Sequence, residues 1–194
     1  MATSCRLNHF SRRFGSAAAA AACAALLAAC GSPTEATRME MPQADSLQIR
    51  AWVPAQLHEQ ISLGLIQGGE VTSTYWGSKI SDEALRQALD ESFREAGLLA
   101  RTPQGGRYEL RAQLTQLKQP MVALDVKVEL IMDYAVVERK TGTKLYERQL
   151  RVPYTVEWSE ALLDQNERMR MANEAALRKS ISTLMRELLE LHWN

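Results

Sequence analysis

Three successive stretches of this chain alternate apolar and polar residues with a period of two, which requires a sheet with one covered face and one wetter face. In 107–117, Tyr108, Leu110, Ala112 and Leu114 share one side, and Arg107, Glu109, Arg111 and Gln113 the other. In 125–138, Val126, Val128, Leu130, Met132, Tyr134 and Val136 alternate with mostly polar partners. In 144–156, Tyr146, Leu150, Val152, Tyr154 and Val156 repeat the pattern, with Arg148 intruding on the apolar side. Lys140-Thr141-Gly142-Thr143 is a short turn that makes the last two strands a hairpin. An earlier strand is expected around 60–66, ending at Gly68-Gly69.

Two helices frame these strands. Ser81-Asp82-Glu83 supplies an N-cap and two first-turn carboxylates that favour the positive end of the helix dipole. Leu85, Ala88, Leu89, Phe93 and Ala96 then recur on one face, and Gly97 gives the stop, predicting a helix over 81–96. A second helix is predicted from about Asp164 to Leu191. Met169, Ala172, Ala176, Ile181, Leu184, Leu188 and Leu191 form its apolar stripe, with Arg168, Arg170, Glu174, Arg178, Arg186 and Glu187 largely off it. The order β-α-β-β-β-α predicts an α+β fold. It is a two-layer sandwich with two helices on one face of a mainly antiparallel sheet, the first helix crossing over between the first two strands.

The amino-terminal region has a different character. Arg6, Arg12 and Arg13 precede a short apolar stretch, Ala17 to Ala29, with no acidic residue. Spanning a bilayer core takes about 20 apolar residues, so this stretch reads as a secretory leader to be excluded from the fold. It closes on Leu27-Ala28-Ala29-Cys30 followed by Gly31. This resembles the lipobox of bacterial lipoproteins. The resemblance implies cleavage before Cys30, a diacylglycerated Cys30 thiol, and acylation of the freed amine by a chain such as palmitate. Ser11-Arg12-Arg13-Phe14 matches a twin-arginine export signal only in part. The expected organisation is a signal peptide over 1–29, lipidated Cys30 with a flexible tether over 30–45, and one periplasmic domain over 46–194. The tether assignment rests on Gly31 to Asp45, which is polar, rich in small residues and without an apolar period.

Removing 29 of 194 residues leaves 165, enough for one domain with its own core. The full chain has 23 basic and 23 acidic residues, and the leader takes three Arg and no carboxylate, so the remainder carries −3. A mildly acidic body argues against nucleic-acid binding. Cys5 and Cys23 leave with the leader, so Cys30 is the only remaining cysteine and no intramolecular disulfide is expected.

Motifs for chemistry are absent: there is no G-x-S-x-G, Walker A, G-x-G-x-x-G or H-E-x-x-H pattern. His58 and His192 lie near opposite ends of the domain, and no cysteine remains for a nucleophile or a Cys-rich zinc site. No catalytic residue, cofactor or metal is therefore expected. Gly68-Gly69 and Gly105-Gly106 read as turns needing positive φ, not phosphate cradles. Asp82, Asp90, Glu91 and Glu95 fit a solvated helix face, and Trp52, Trp76, Trp158 and Trp193 fit the edges of the core. Two segments stand out as candidate partner contacts. Gln119 to Leu124 includes Met121, Val122 and Leu124, and is apolar for a connector. The run from Trp158 to Met171 places Leu162, Leu163, Met169 and Met171 among charges. Packing at a sheet edge or a helix start is the competing explanation of each.

The body resembles the auxiliary lipoproteins of ABC-type lipid-transport systems over roughly 60–190. A helix like Ser81 to Leu89 precedes a strand like Tyr108-Glu109-Leu110 there, followed by a hairpin like Val136 to Leu145 and a closing helix like Ala172 to Ala176. The lipopolysaccharide-assembly lipoprotein that plugs an outer-membrane barrel has a similar order. These resemblances imply a non-enzymatic accessory subunit of an envelope transport or assembly complex. Its partners would be that complex and, through acylated Cys30, the membrane. Gly31 lacks the acidic character of inner-membrane retention, so the outer membrane is the expected location. The alternatives are an enzyme acting on envelope lipid or sugar, and a structural outer-membrane or cell-wall factor. UDP-N-acetylglucosamine acyltransferases resemble a β-helix of hexapeptide repeats with a catalytic His, and neither feature is present here.

Overall fold

The computed structural model describes residues 33–70, 78–120, 124–160 and 164–193. Its sheet contains β1 (Ile61–Gln67), β2 (Tyr108–Lys118), β3 (Val126–Glu138) and β4 (Lys144–Val156), side by side in that order. β1 runs parallel to β2, and the two other pairs are antiparallel. A parallel pair needs a crossover, supplied by α3 (Asp82–Glu95). The alternating residues do what their period requires: Tyr108, Leu110, Val126, Val128, Leu130, Met132 and Val136 are all buried in the core. A bulge between Leu114 and Gln116 shifts the register so that Leu117 pairs with Leu130 and packs against the core. Gly68, at φ +93, has no side chain to collide with the Leu114 carbonyl, which would lie 2.1 Å from a Cβ there.

α3 starts and stops as its sequence dictates. Ser81 Oγ accepts from the Ala84 amide at 3.2 Å, and Gly97 adopts φ +72 at the far end. α4 (Gln165–Glu190) packs on β3 and β4, and Asp164 caps it by accepting from the Asn166 amide at 2.8 Å. The architecture is thus the expected α+β sandwich, with helices on one face of a mainly antiparallel sheet. Strand order and element order follow the sequence pattern, and each boundary falls within a residue or so of it.

The tether does not extend as far as expected. Residues 33–45 belong to the folded body, and α1 (Ala36–Met39) and α2 (Gln43–Trp52) add two helices to the two predicted. α1 packs against both α3 and α4. Met39 (0% exposed) and Met41 (2%) fill the seam between those helices, and the Met41 amide donates to buried Ser92 Oγ at 3.0 Å. Two helices over a four-stranded sheet leave a gap that needs apolar filling, and unbranched Met fits an irregular one. Neither helix is long enough to carry a readable amphipathic period. A second correction concerns α4, where Arg168, Arg170 and Glu174 are buried. The amino-terminal segment lies over the face that the helical period assigned to water.

Met39→Ala and Met41→Ala should each lower the unfolding free energy by about 2–5 kcal/mol in urea titrations, as for other buried large-to-small changes. Tether residues would change it by no more than about 0.5 kcal/mol.

Candidate functional site

The end of the sheet where β2 finishes, β3 begins and α4 starts gathers most of the unusual side chains. Here the chain that follows Cys30 in sequence is fastened to the body. Thr34 Oγ1 donates to the Lys79 carbonyl at 2.9 Å, and the Glu35 amide donates to Glu174 Oε1 at 2.9 Å. Next to Lys79, the Ser78 carbonyl accepts from Gln119 Nε2 at 2.7 Å and from buried Asn173 Nδ2 at 3.0 Å. Gln119 also donates to Asn173 Oδ1 at 3.1 Å. Four distant parts of the sequence, at 34–35, 78–79, 119 and 173–174, thereby meet at one polar knot.

A charge cluster lies under this knot. Arg170 donates through Nη1 to Glu174 Oε1 at 2.8 Å and through Nε to Glu167 Oε2 at 2.9 Å, while Nη2 bonds Glu167 Oε1. Glu35 stands 3.7 Å from the same guanidinium. Arg170 and Glu174 are 6% and 2% exposed in their side chains, so the pair is desolvated on both sides. The bidentate hydrogen bond to Glu167 raises the Arg170 pKa and holds the Glu167 carboxyl below its ordinary value. Burial pushes the Glu174 carboxyl up, against the downward pull of the Glu35 amide and Arg170. Glu40 is also raised, by partial burial first and then by the Glu91 and Glu95 carboxylates.

Two open clefts adjoin other parts of the fold. One, of about 580 Å³, lies beside α1 and is lined by Arg38, Glu40, Met41, Tyr154, Met171 and Arg178. The other, of about 510 Å³, crosses the uncovered sheet face over Leu65, Gln67, Arg111, Gln113 and Gln149. On that face Asp133 accepts from Thr115 Oγ1 at 2.6 Å and from Gln149 Nε2 at 2.9 Å. Among the described residues no group of three or more His, Cys, Asp or Glu could hold a metal ion. His58 lies beside Gly97 and Arg50, and His192 is exposed just past α4.

Of the residues singled out from the sequence for the site and the core edges, Cys30, Trp76, Met121, Val122, Leu162 and Leu163 lie outside the described residues. Leu124 is 79% exposed and Trp158 55%, and the Trp158 amide donates at 3.0 Å to Oδ1 of Asp125, the residue after Leu124. Met169 is buried and Met171 half-buried, so packing accounts for that part of the second segment. Trp193 closes the core at the other end, its ring 4.8 Å from that of Tyr108. Trp52, by contrast, is 74% exposed and closes nothing. Gly68 and Gly106 have positive φ, whereas Gly69 and Gly105 do not. The charge cluster was missed by sequence reasoning. Its trace was the Glu167, Arg170, Glu174 spacing of three and four, which brings the side chains together on a helix but carries no information about burial.

No protein-family model and no curated protein sequence matches the chain. Its fold is similar to that of a candidate lipoprotein from Caulobacter crescentus CB15, with a TM-score of 0.50 and 13% identity over 74% of this chain and 93% of that one. It is also similar to a Xanthomonas campestris protein of family DUF330, with a TM-score of 0.52 and 13% identity over 71% and 89%. At these identities the likeness is one of fold.

Glu174→Ala should cost about 3–5 kcal/mol in urea unfolding, because it removes one of the three hydrogen bonds of buried Arg170 and leaves the Glu35 amide without its acceptor. Arg170→Met combined with Glu174→Leu should recover most of that loss. Glu40 gives a prediction of opposite sign. Its folded pKa is raised, so the penalty for its charge is absent below the unfolded pKa and grows as pH rises through the folded one. Glu40→Gln should therefore stabilise slightly at pH 7, with no gain below about pH 4, where the wild-type carboxyl is protonated in both states. Thermal unfolding at the two pH values checks this.

Proposed function

We propose that this chain is a lipid-anchored envelope lipoprotein, attached through acylated Cys30 and serving as an accessory subunit of a transport or assembly complex that handles lipid or lipopolysaccharide. The observation that carries the reading is Leu27-Ala28-Ala29-Cys30-Gly31, placed behind a basic apolar leader and four residues ahead of Thr34, where the folded body is already fastened. The Caulobacter crescentus structure of similar fold is described as that of a candidate lipoprotein, which supports the same reading. No helix among the described residues is long and apolar enough to cross a membrane. Attachment by two or three acyl chains is stable, since each buried CH₂ contributes about 0.8 kcal/mol. Gly31 lacks the acidic character of inner-membrane retention, which supports the outer membrane as the location, facing the periplasm. The guanidinium and carboxylate groups that dominate the site hold one another, which suits a scaffold better than a reaction centre.

Cys30→Ser should shift the protein from the membrane to the soluble fraction on fractionation, and continued membrane attachment would falsify the anchor. Crosslinking followed by affinity purification from detergent-solubilised membranes should recover a transporter or barrel component. Recovery of neither, together with loss of a phenotype on substituting one small cluster of His, Ser or acidic residues, would favour an envelope enzyme.

A further inference from the structure

We propose that the sheet end carrying Leu124 and Trp158 is a membrane-docking surface, seated on the leaflet that holds the acyl chains of Cys30. The proposal rests on the lipid anchor and goes beyond it, because an anchor alone leaves the orientation of the domain open.

Three residues, Gly31, Ser32 and Pro33, separate Cys30 from Thr34. At about 3.5 Å per residue the connection reaches no more than about 14 Å when fully extended. Thr34 is fixed to the Lys79 carbonyl and Glu35 to Glu174, so the connection lengthens only if those bonds break. Lys79 adjoins the Ser78 carbonyl, which holds Gln119, the residue after the last of β2. At this same end Val126, the first residue of β3, pairs with Val156, the last of β4. Leu124 stands two residues before that pair and Trp158 two after it. The tether thus enters the body at the end that presents these two exposed apolar side chains. α4, with 26 residues, measures about 39 Å at 1.5 Å per residue. The opposite end, with the hairpin turn at Thr141 and Gly142, therefore lies far beyond the tether's reach.

The chemistry of the patch fits a bilayer interface. An indole is amphipathic and settles at the level of the lipid headgroups, with Leu as its apolar companion. Asp125 and Glu160 adjoin these two residues in the chain, and each carboxylate accepts a backbone amide, that of Trp158 and that of Glu157. The acidic rim disfavours an anionic surface, so the occupant is a leaflet rich in zwitterionic phosphatidylethanolamine, held by apolar contact and not by charge.

The test uses the full chain, exported and acylated in cells, with its mass confirming the lipid on Cys30. Leu124→Cys, Trp158→Cys and Thr141→Cys each receive a nitroxide label, which the thioether of Cys30 does not take, and each protein is reconstituted into phosphatidylethanolamine vesicles. Accessibility to a water-soluble nickel chelate should fall severalfold at 124 and 158 relative to detergent-free aqueous exposure at 141, with oxygen accessibility rising at the same two positions. Labels at 124 and 158 as open to the chelate as that at 141, in protein of confirmed acylated mass, would overturn the docking surface and leave the anchor standing. Shielding that appears only when envelope proteins are added would overturn it in favour of a protein partner. An unmodified mass and failure to float with vesicles would remove the anchor, and the proposal with it.

Discussion

A sheet that is apolar on one face must be covered, and most of this structure follows from how the covering is done. Four strands at about 4.8 Å spacing need a lid roughly two helices wide. α4 lies on β3 and β4, and α3 on β1, which leaves a seam between them. Closing it takes apolar atoms from a third source, and the chain supplies them from its amino-terminal side, where Met39 and Met41 lie between the helices. The segment that carries Met39 and Met41 is therefore part of the core.

Burying a guanidinium and a carboxylate beside that seam yields little net energy, since desolvation offsets their attraction. What the pair fixes is position. Glu174 takes the Arg170 guanidinium and the Glu35 amide on one oxygen, so the segment at Glu35 can lie on α4 in one place only. An apolar contact would tolerate sliding by a residue; a shared hydrogen-bond acceptor does not. Thr34 and the Asn173, Ser78 and Gln119 knot add further directional contacts within one turn of α4. The short reach from Cys30 to the body depends on this fixed attachment.

The sheet and its two long helices were legible because their signals are repeated many times. Alternation over three strands leaves no freedom about which side is core, and Ser81 and Gly97 mark both ends of α3. α1 and α2 were not legible, because four and ten residues are too short for a helical period to separate them from a linker. The burial of Arg170 and Glu174 was hidden for a related reason. Helical spacing reveals which residues share a face, whereas burial depends on what arrives from elsewhere in the chain. Arg148 shows the reverse case. It broke the alternation of β4, and at that edge of the sheet it stays exposed, 3.5 Å from Glu187. Leu124 and Trp158 drew attention as apolar residues in connectors, and their exposure in the structure gives that signal a surface to belong to.

The strand edges limit how any partner can engage the domain. A bare edge invites a foreign strand to extend the sheet, and this fold blunts both of its edges. On β1, the Ile61 amide and carbonyl are already taken by Leu98 and Ala100, and the Gly64 carbonyl accepts from Arg86 at 2.8 Å. On β4, Pro153 lacks an amide to offer, and Tyr146 and Arg148 both reach over to Glu187 on α4. Strand addition is thereby disfavoured at both sides. The open sheet face remains, where Thr115 and Gln149 both donate to Asp133, and so do the two ends of the sandwich. If one end is held against the leaflet by a tether of three residues, the open face and the hairpin end are what the domain can turn toward the periplasm. A transport or assembly partner would have to be matched to a polar surface of paired charges, recognising it by hydrogen bonds and shape.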